Sequence, residues 1–159
     1  MENKKTEIDI ILPNYNSKNF IDRTVRSVLN QTFTKWKLII VDDFSDIKTR
    51  KKLKKYNKFK KIKIFWLRKN KGAAYCRNLA IKNSSSKYIA FLDSDDNWKK
   101  DKLKSQLNYM KKNNYHFTYT NYNTIGLSNR KIIPPNKMSF LSFIRNTSIA
   151  TSTMIISRK

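Results

Sequence analysis

Three carboxylates stand within four positions, Asp93, Asp95 and Asp96, directly behind the apolar run Tyr88 to Leu92. Acid is scarce in this chain, with 11 Asp and Glu against 35 Lys and Arg. Crowded carboxylates repel one another, and a divalent cation relieves that repulsion. In an extended turn Asp93 and Asp95 point to the same side and can share one hard cation. Mg2+ or Mn2+ suits such oxygen ligands, taking one or two carboxylates and filling its shell with water and phosphate oxygens. The plainer reading is a loop in which Asp95 or Asp96 caps the next helix. The position adds weight to the metal reading, because unpaired carboxylates beside a buried strand are costly.

Three other polar clusters follow apolar runs. In "VDDFSD", a carboxylate at a strand end is placed to accept from a nucleobase or a ribose hydroxyl. Asp42, Asp43 and Ser45 can equally form a turn, with Ser45 the N-cap of the following helix. In "PNYN", Tyr15 offers a ring face for base stacking or is a core tyrosine, and Asn16 offers a capping side chain. In "NKGAAYCRN", Gly72 at a helix start allows close backbone approach, and the helix N-terminus attracts phosphate. Arg77 lies along that helix, within reach of Asp93, Asp42 or a phosphate. Neither G-x-G-x-x-G nor the Walker G-x-x-x-x-G-K occurs, which argues against dinucleotide oxidoreductases and P-loop enzymes. Cys76 reads as a small buried side chain and His116 as structural; with one Cys and one His, a zinc site is unsupported.

The elements that must position these clusters alternate along the chain. "IDIILP" reads as a strand closed by Pro13, and Phe20, Ile21, Thr24, Val25, Val28 and Leu29 recur at helical spacing. "WKLIIVDD", "KIKIFWL" and "YIAFL" read as further strands, separated by a basic helix after Ser45 and a small-residue helix after Gly72. A helix from about Lys99 to Lys112 carries Leu103, Leu107 and Met110 on one face. "YHFTYTNYNTI" alternates like a strand, "RKIIP" is a candidate for another, and "TSTMIISRK" reads as one more. Strand and helix in this rhythm predict a mostly parallel α/β sheet with helices on both faces, which binds ligands at the carboxyl ends of its strands. The four clusters fall at those ends.

The order "IDIILPNYN", "SVLNQTFTKWKLIIVDDFSD", "LRKNKGAAYCRNLAI", "YIAFLDSDDNWKKDKL" resembles the family 2 glycosyltransferases, over roughly residues 8 to 157. The resemblance implies a GT-A fold and inverting transfer of a sugar from a nucleotide donor, UDP-sugars favoured, to a saccharide or lipid-linked acceptor, with surface polysaccharide assembly as the setting. It implies that Pro13 and Tyr15 line the base pocket and Asp43 hydrogen-bonds the base, with Asp42 supporting the loop. Gly72 and Arg77 would shape the wall near ribose and phosphates. Asp93 would contact ribose or metal-bound water, and Asp95 would ligate the Mn2+ or Mg2+ that bridges the diphosphate. The family's general base is expected beyond Lys159, since no Asp or Glu follows Asp101. Residues 1–159 are thus expected to form one GT-A-like domain lacking the acceptor and base region, either as part of a longer enzyme or as a transfer-deficient nucleotide-sugar binder.

Composition bounds this reading. The length of 159 residues suits one domain with a sizeable core, and 13 % aromatic content argues against disorder. A net charge of +24 fits a genomic habit of Lys, Asn and Ile, attraction to an anionic membrane face, or a basic nucleic-acid module. Specific nucleic-acid binding is not expected. The start "MENKKTEIDIILP" lacks the apolar core of a signal peptide, and no apolar run approaches the ~18 residues of a membrane span. A cytoplasmic location, peripheral at the inner membrane face, is the expectation.

Overall fold

The run Ile8–Asn14 forms β1, buried at every position. Ile and Leu on both faces suit it to the middle of a sheet covered on two sides. In this computed structural model, which describes residues 6–126, 128–145 and 149–158, β1 pairs in parallel with β2 (Trp36–Asp42) on one side and β4 (Tyr88–Phe91) on the other. β3 (Ile62–Trp66) pairs in parallel with β2. Beyond β4 lies β8 (Ile155–Ser157), antiparallel to it, and then β5 (Phe117–Thr118). The six-stranded order is β3-β2-β1-β4-β8-β5. The mostly parallel sheet is present, with an antiparallel margin.

Successive residues of each central strand face opposite sides. Ile8, Ile10, Leu12, Leu38 and Ile40 pack in the core beneath three helices. These are α1 (Ile21–Leu29), α2 (Ile47–Lys54, continued by a 3-10 turn at Lys55–Lys58) and α4 (Lys102–Lys112). Ile11, Ile39, Val41 and Ile89 meet Cys76 and Ala80 of α3 (Ala73–Lys82) on the other face. The chain thus winds from β1 outward in both directions, and right-handed crossovers put α3 opposite α1 and α2. Helical spacing correctly marked Ile21, Thr24, Val25 and Val28 of α1, and Leu103, Leu107 and Met110 of α4, as buried. Phe20 is instead exposed. Burial, with Asp43 nearby, pushes the Cys76 thiol up to about 12, so it is inert.

Several boundaries differ from expectation, each for a local reason. β1 does not stop at Pro13 but runs on to Asn14. The Ile11 carbonyl accepts from the Leu92 N–H, so Pro13, two residues on, also faces the β4 side. β4 pairs only as far as Ile11, so the missing proline N–H interrupts no ladder. Asp46, not Ser45, caps α2, accepting from the Thr49 N–H at 2.6 Å. Ser45 Oγ instead accepts from Asn14 Nδ2 and the Asn16 N–H. α4 starts after Lys99, because a turn closes first from the Lys102 N–H to the Lys99 carbonyl.

After α4 the elements shorten. The alternating "YHFTYTNYNTI" yields only β5 and β6 (Tyr122–Asn123), and β6 pairs with β7 (Lys131–Ile132) in a separate two-stranded sheet. A short helix, α5 (Phe140–Arg145), and a 3-10 turn at Thr151–Thr153 lead into β8. His116 Nδ1 shares a 2.8 Å hydrogen bond with Ser157 Oγ. Among the described residues no helix is long and apolar enough to cross a membrane.

Candidate functional site

β1 leads to β2 on one side and β4 on the other, so the sheet order reverses between β1 and β4. Parallel sheets open a crevice at such a point, outside the carboxyl ends of the strands. A cleft of about 360 Å³ lies there. Its lining includes Pro13, Tyr15, Asp43, Arg77, Asp93 and Asp95. Tyr15 is 53 % exposed and so is not a core tyrosine. Asp42 and Gly72 stand just outside: Asp42 lies beneath the cleft, and Gly72 precedes the lining residue Ala73.

The wall from β2 is held by carboxylates. Asp42, fully buried, accepts from Asn14 Nδ2 at 2.8 Å, from the Ser45 N–H and from Arg50 Nε at 2.8 Å. Arg50 also donates to the Leu67 carbonyl and lies over the Phe44 and Trp66 rings. Asp43 accepts from two successive backbone N–H groups, Lys71 at 2.7 Å and Gly72 at 2.8 Å, and so fixes the turn that opens α3. Gly72 has φ 83°, where a side chain would be strained. Asn16, also in the left-handed region, accepts from the Asp46 N–H and joins the β1 and β2 loops. Arg50 carried no signal in the sequence, since one basic residue in a lysine-rich helix looks like any other.

The opposite wall is the loop after β4. Arg77 reaches from α3 to Asp93, Nη2 to Oδ1 at 2.6 Å, and its Nε is buried without a hydrogen-bond partner. Ser152, 7 % exposed, grips the loop from the chain's far end. Its Oγ accepts from the Asp93 N–H at 2.9 Å and donates to Asp96 Oδ2, and its carbonyl accepts from Trp98 Nε1 at 2.8 Å. Partial burial, with Asp95 and Asp93 nearby, raises the Asp96 pKa against the lowering effect of Ser152. Asp101 accepts from Thr32 Oγ1. Neither Asp96 nor Asp101 lines the cleft.

Asp95 differs from every other described acid. Of the 11 acidic residues Glu2 lies outside the described part, leaving ten. Nine of these have a hydrogen-bonded or ion-paired carboxylate: Glu7, Asp9, Asp22, Asp42, Asp43, Asp46, Asp93, Asp96 and Asp101. The Asp95 carboxylate has no such partner, and its backbone carbonyl is held by Arg23 Nη2 at 2.9 Å. Among the described residues no three His, Cys, Asp or Glu side chains form a complete metal cage. A cation here would need oxygens from a ligand, as Mg2+ and Mn2+ on nucleotide phosphates do.

Comparison with known proteins agrees with this geometry. The sequence signature described as Glycosyl transferase family 2 matches residues 9–158. The Escherichia coli UDP-Glc:alpha-D-GlcNAc-diphosphoundecaprenol beta-1,3-glucosyltransferase WfgD is 38 % identical over 153 residues, 95 % of this chain and 60 % of that protein. The chain spans less than two thirds of the length of the first curated relatives it matches. The crystal structure of Staphylococcus aureus TarS 1-349 in complex with UDP matches with a TM-score of 0.78 at 24 % identity, over 95 % of this chain and 46 % of that one. The mannosyltransferase PcManGT from Pyrobaculum calidifontis, in complex with GDP-Man and Mn2+, matches with a TM-score of 0.61 at 18 % identity, over 68 % and 33 %. These likenesses show the GT-A fold. With the signature running through nearly the whole chain and its four motifs meeting at one strand edge, the chain belongs to glycosyl transferase family 2.

Proposed function

We propose that the cleft binds a nucleoside-diphosphate sugar, a UDP-sugar by preference, as the donor half of an inverting glycosyltransferase. The observation that carries this is Asp95, the one described acidic residue with a free carboxylate, standing in a cleft beside the paired Arg77 and Asp93. Pro13 and Tyr15 would receive the base, with Asp43 hydrogen-bonding it and Asp42 holding that loop from behind. Gly72 and the α3 N-terminus would face the phosphates, joined by Arg77. Asp95, with Asp93 alongside, would hold Mn2+ or Mg2+, which when bound offsets the charge on the leaving diphosphate. In the transfer, the acceptor oxygen bonds to the anomeric carbon as the bond to the diphosphate breaks. The diphosphate leaves with the electron pair, and the acceptor proton passes to a base.

That base is proposed to lie beyond Lys159, because Asp96 and Asp101 are bonded elsewhere and outside the cleft. Residues 1–159, as one domain without the acceptor region, should hold donor and transfer slowly, since a positioned base contributes roughly 10²- to 10⁴-fold. The diphosphoundecaprenol in the name of WfgD favours a saccharide or lipid-linked acceptor, and the setting we propose is surface polysaccharide assembly on the cytoplasmic side of a membrane. The test is thermal melting with UDP or GDP, each with Mn2+ or Mg2+. UDP with Mn2+ should raise the melting temperature, a ligand at 100 times its Kd adding about 2.7 kcal/mol. Unmoved curves with all four pairs, together with a shift on adding RNA, would replace this reading with a basic nucleic-acid module.

A further inference from the structure

The outward face of α2 combines a row of exposed cations with an exposed apolar tip. Thr49 and Leu53, with Tyr56 in the following turn, point into the core. Ile47, Lys51, Lys54 and Lys58 fall on the opposite side by helical spacing, and all four are exposed. Ile47, at the tip, is 85 % exposed. Beside it Phe44 is 51 % exposed on a left-handed backbone, φ 61°, a costly conformation for a bulky residue that keeps its ring outside the core. No acidic residue occurs between Asp46 and Asp93. The acids that touch α2 and its following turn are engaged: Asp22 by Lys52, Lys55 and Tyr56, Asp42 by Arg50, and Asp46 by its cap bond. The stripe therefore has an apolar tip, a row of cations and no free counter-charge.

We propose that this face docks on an anionic lipid bilayer, with Lys51, Lys54 and Lys58 on the headgroups and Ile47 and Phe44 entering the acyl boundary. Charge complementarity supplies the attraction, and the apolar tip selects lipid over nucleic acid, whose phosphate backbone gives an exposed aliphatic side chain nothing to enter. Phe44 directly follows Asp43 of the cleft, so docking would bring the cleft's β2 rim to the lipid surface. Nothing in this inference requires the donor-site reading.

Co-sedimentation of the 159-residue chain with vesicles tests it, using phosphatidylcholine with and without phosphatidylglycerol. The chain should bind the phosphatidylglycerol vesicles and be released by salt. The triple variant Lys51→Gln, Lys54→Gln, Lys58→Gln should weaken binding about 100-fold, at about five-fold per charge. Ile47→Ser should weaken it several-fold while leaving the salt dependence unchanged. The control triple Lys82→Gln, Lys104→Gln, Lys112→Gln removes equal charge from other surfaces and should cost far less. Equal losses from the two triples would reduce the effect to net charge and overturn the proposal. So would indifference to phosphatidylglycerol, or loss of poly(U) RNA binding in the α2 triple with vesicle binding retained.

Discussion

The chain between Ile8 and Lys112 and the chain after it are built differently. In the first part four strands alternate with four helices, and strands β1 and β2 are seven residues each. In the second, β5, β6 and β7 have two residues each and β8 three. Nearly all the fully buried large side chains belong to the first part, and no acidic residue occurs in the second. The second part supplies little core, yet through Ser152 it determines how the loop of Asp93 to Asp96 is held. The core and the cleft carboxylates come from one region, and the bonds that fix the loop of Asp93 to Asp96 come partly from the other.

Leu92→Ala tests the core side of that contrast most severely. Leu92 is fully buried immediately before Asp93, and its truncation should cost about 2–5 kcal/mol in chemical denaturation. Ile133→Ala, at a residue 62 % exposed in the second part, should stay within about 0.5 kcal/mol. Similar losses at both sites would break the comparison.

Lys102 sharpens it at the seam. Its Nζ is buried without a hydrogen-bond partner, 4.0 Å from the centre of the Trp98 ring, and burial pushes its pKa down to about 7 from 10.5. The folded form disfavours the charge, so the penalty is complete below about pH 7 and disappears as pH rises towards 10.5. Lys102→Met should therefore stabilise the protein below pH 7, by on the order of 2 kcal/mol after loss of the ring contact, with the gain shrinking at higher pH. A gain independent of pH between those limits would rule out the buried charge as its cause.

Ser152→Ala probes the reach of the second part into the first. It strands the Asp93 N–H and leaves Asp96 without its donor, at a cost of about 1–2 kcal/mol. If Ser152 positions the loop of Asp93 to Asp96 for a cation, the alanine variant should also lose part of the Mn2+-dependent gain in UDP affinity, and Ser152→Thr should restore it. A serine that served folding alone would lower the melting temperature and leave that gain intact.

The same contrast explains what was legible in the sequence. Leu38–Val41 is apolar at every position and Ile8–Leu12 at all but Asp9, and only a strand covered on both faces uses such runs, so the central sheet and the strand edge where the cleft opens could be read directly. The four polar clusters followed from that edge. Ser152 could not be found this way: one serine in "TSTM" has no period, and its role depends on β8 returning antiparallel beside β4. The short strands after Lys112 were overextended because alternation in "YHFTYTNYNTI" resembles pairing, while only Phe117 and Thr118 find a partner in β8. Ser45 and Asp46 are both good caps by type, and the bonds from Asn14 and Asn16 to Ser45 decide between them.

The central claim is that Asp95 is free because it awaits a cation carried on a nucleotide. UDP binding by calorimetry, with and without Mn2+, in the natural chain and in Asp95→Ala, tests this most directly. The account predicts that the variant melts within about 0.5 kcal/mol of the natural protein, keeps weak metal-independent UDP binding and loses the Mn2+-dependent gain. A variant that unfolds, or that binds UDP with an undiminished Mn2+-dependent gain, would contradict it.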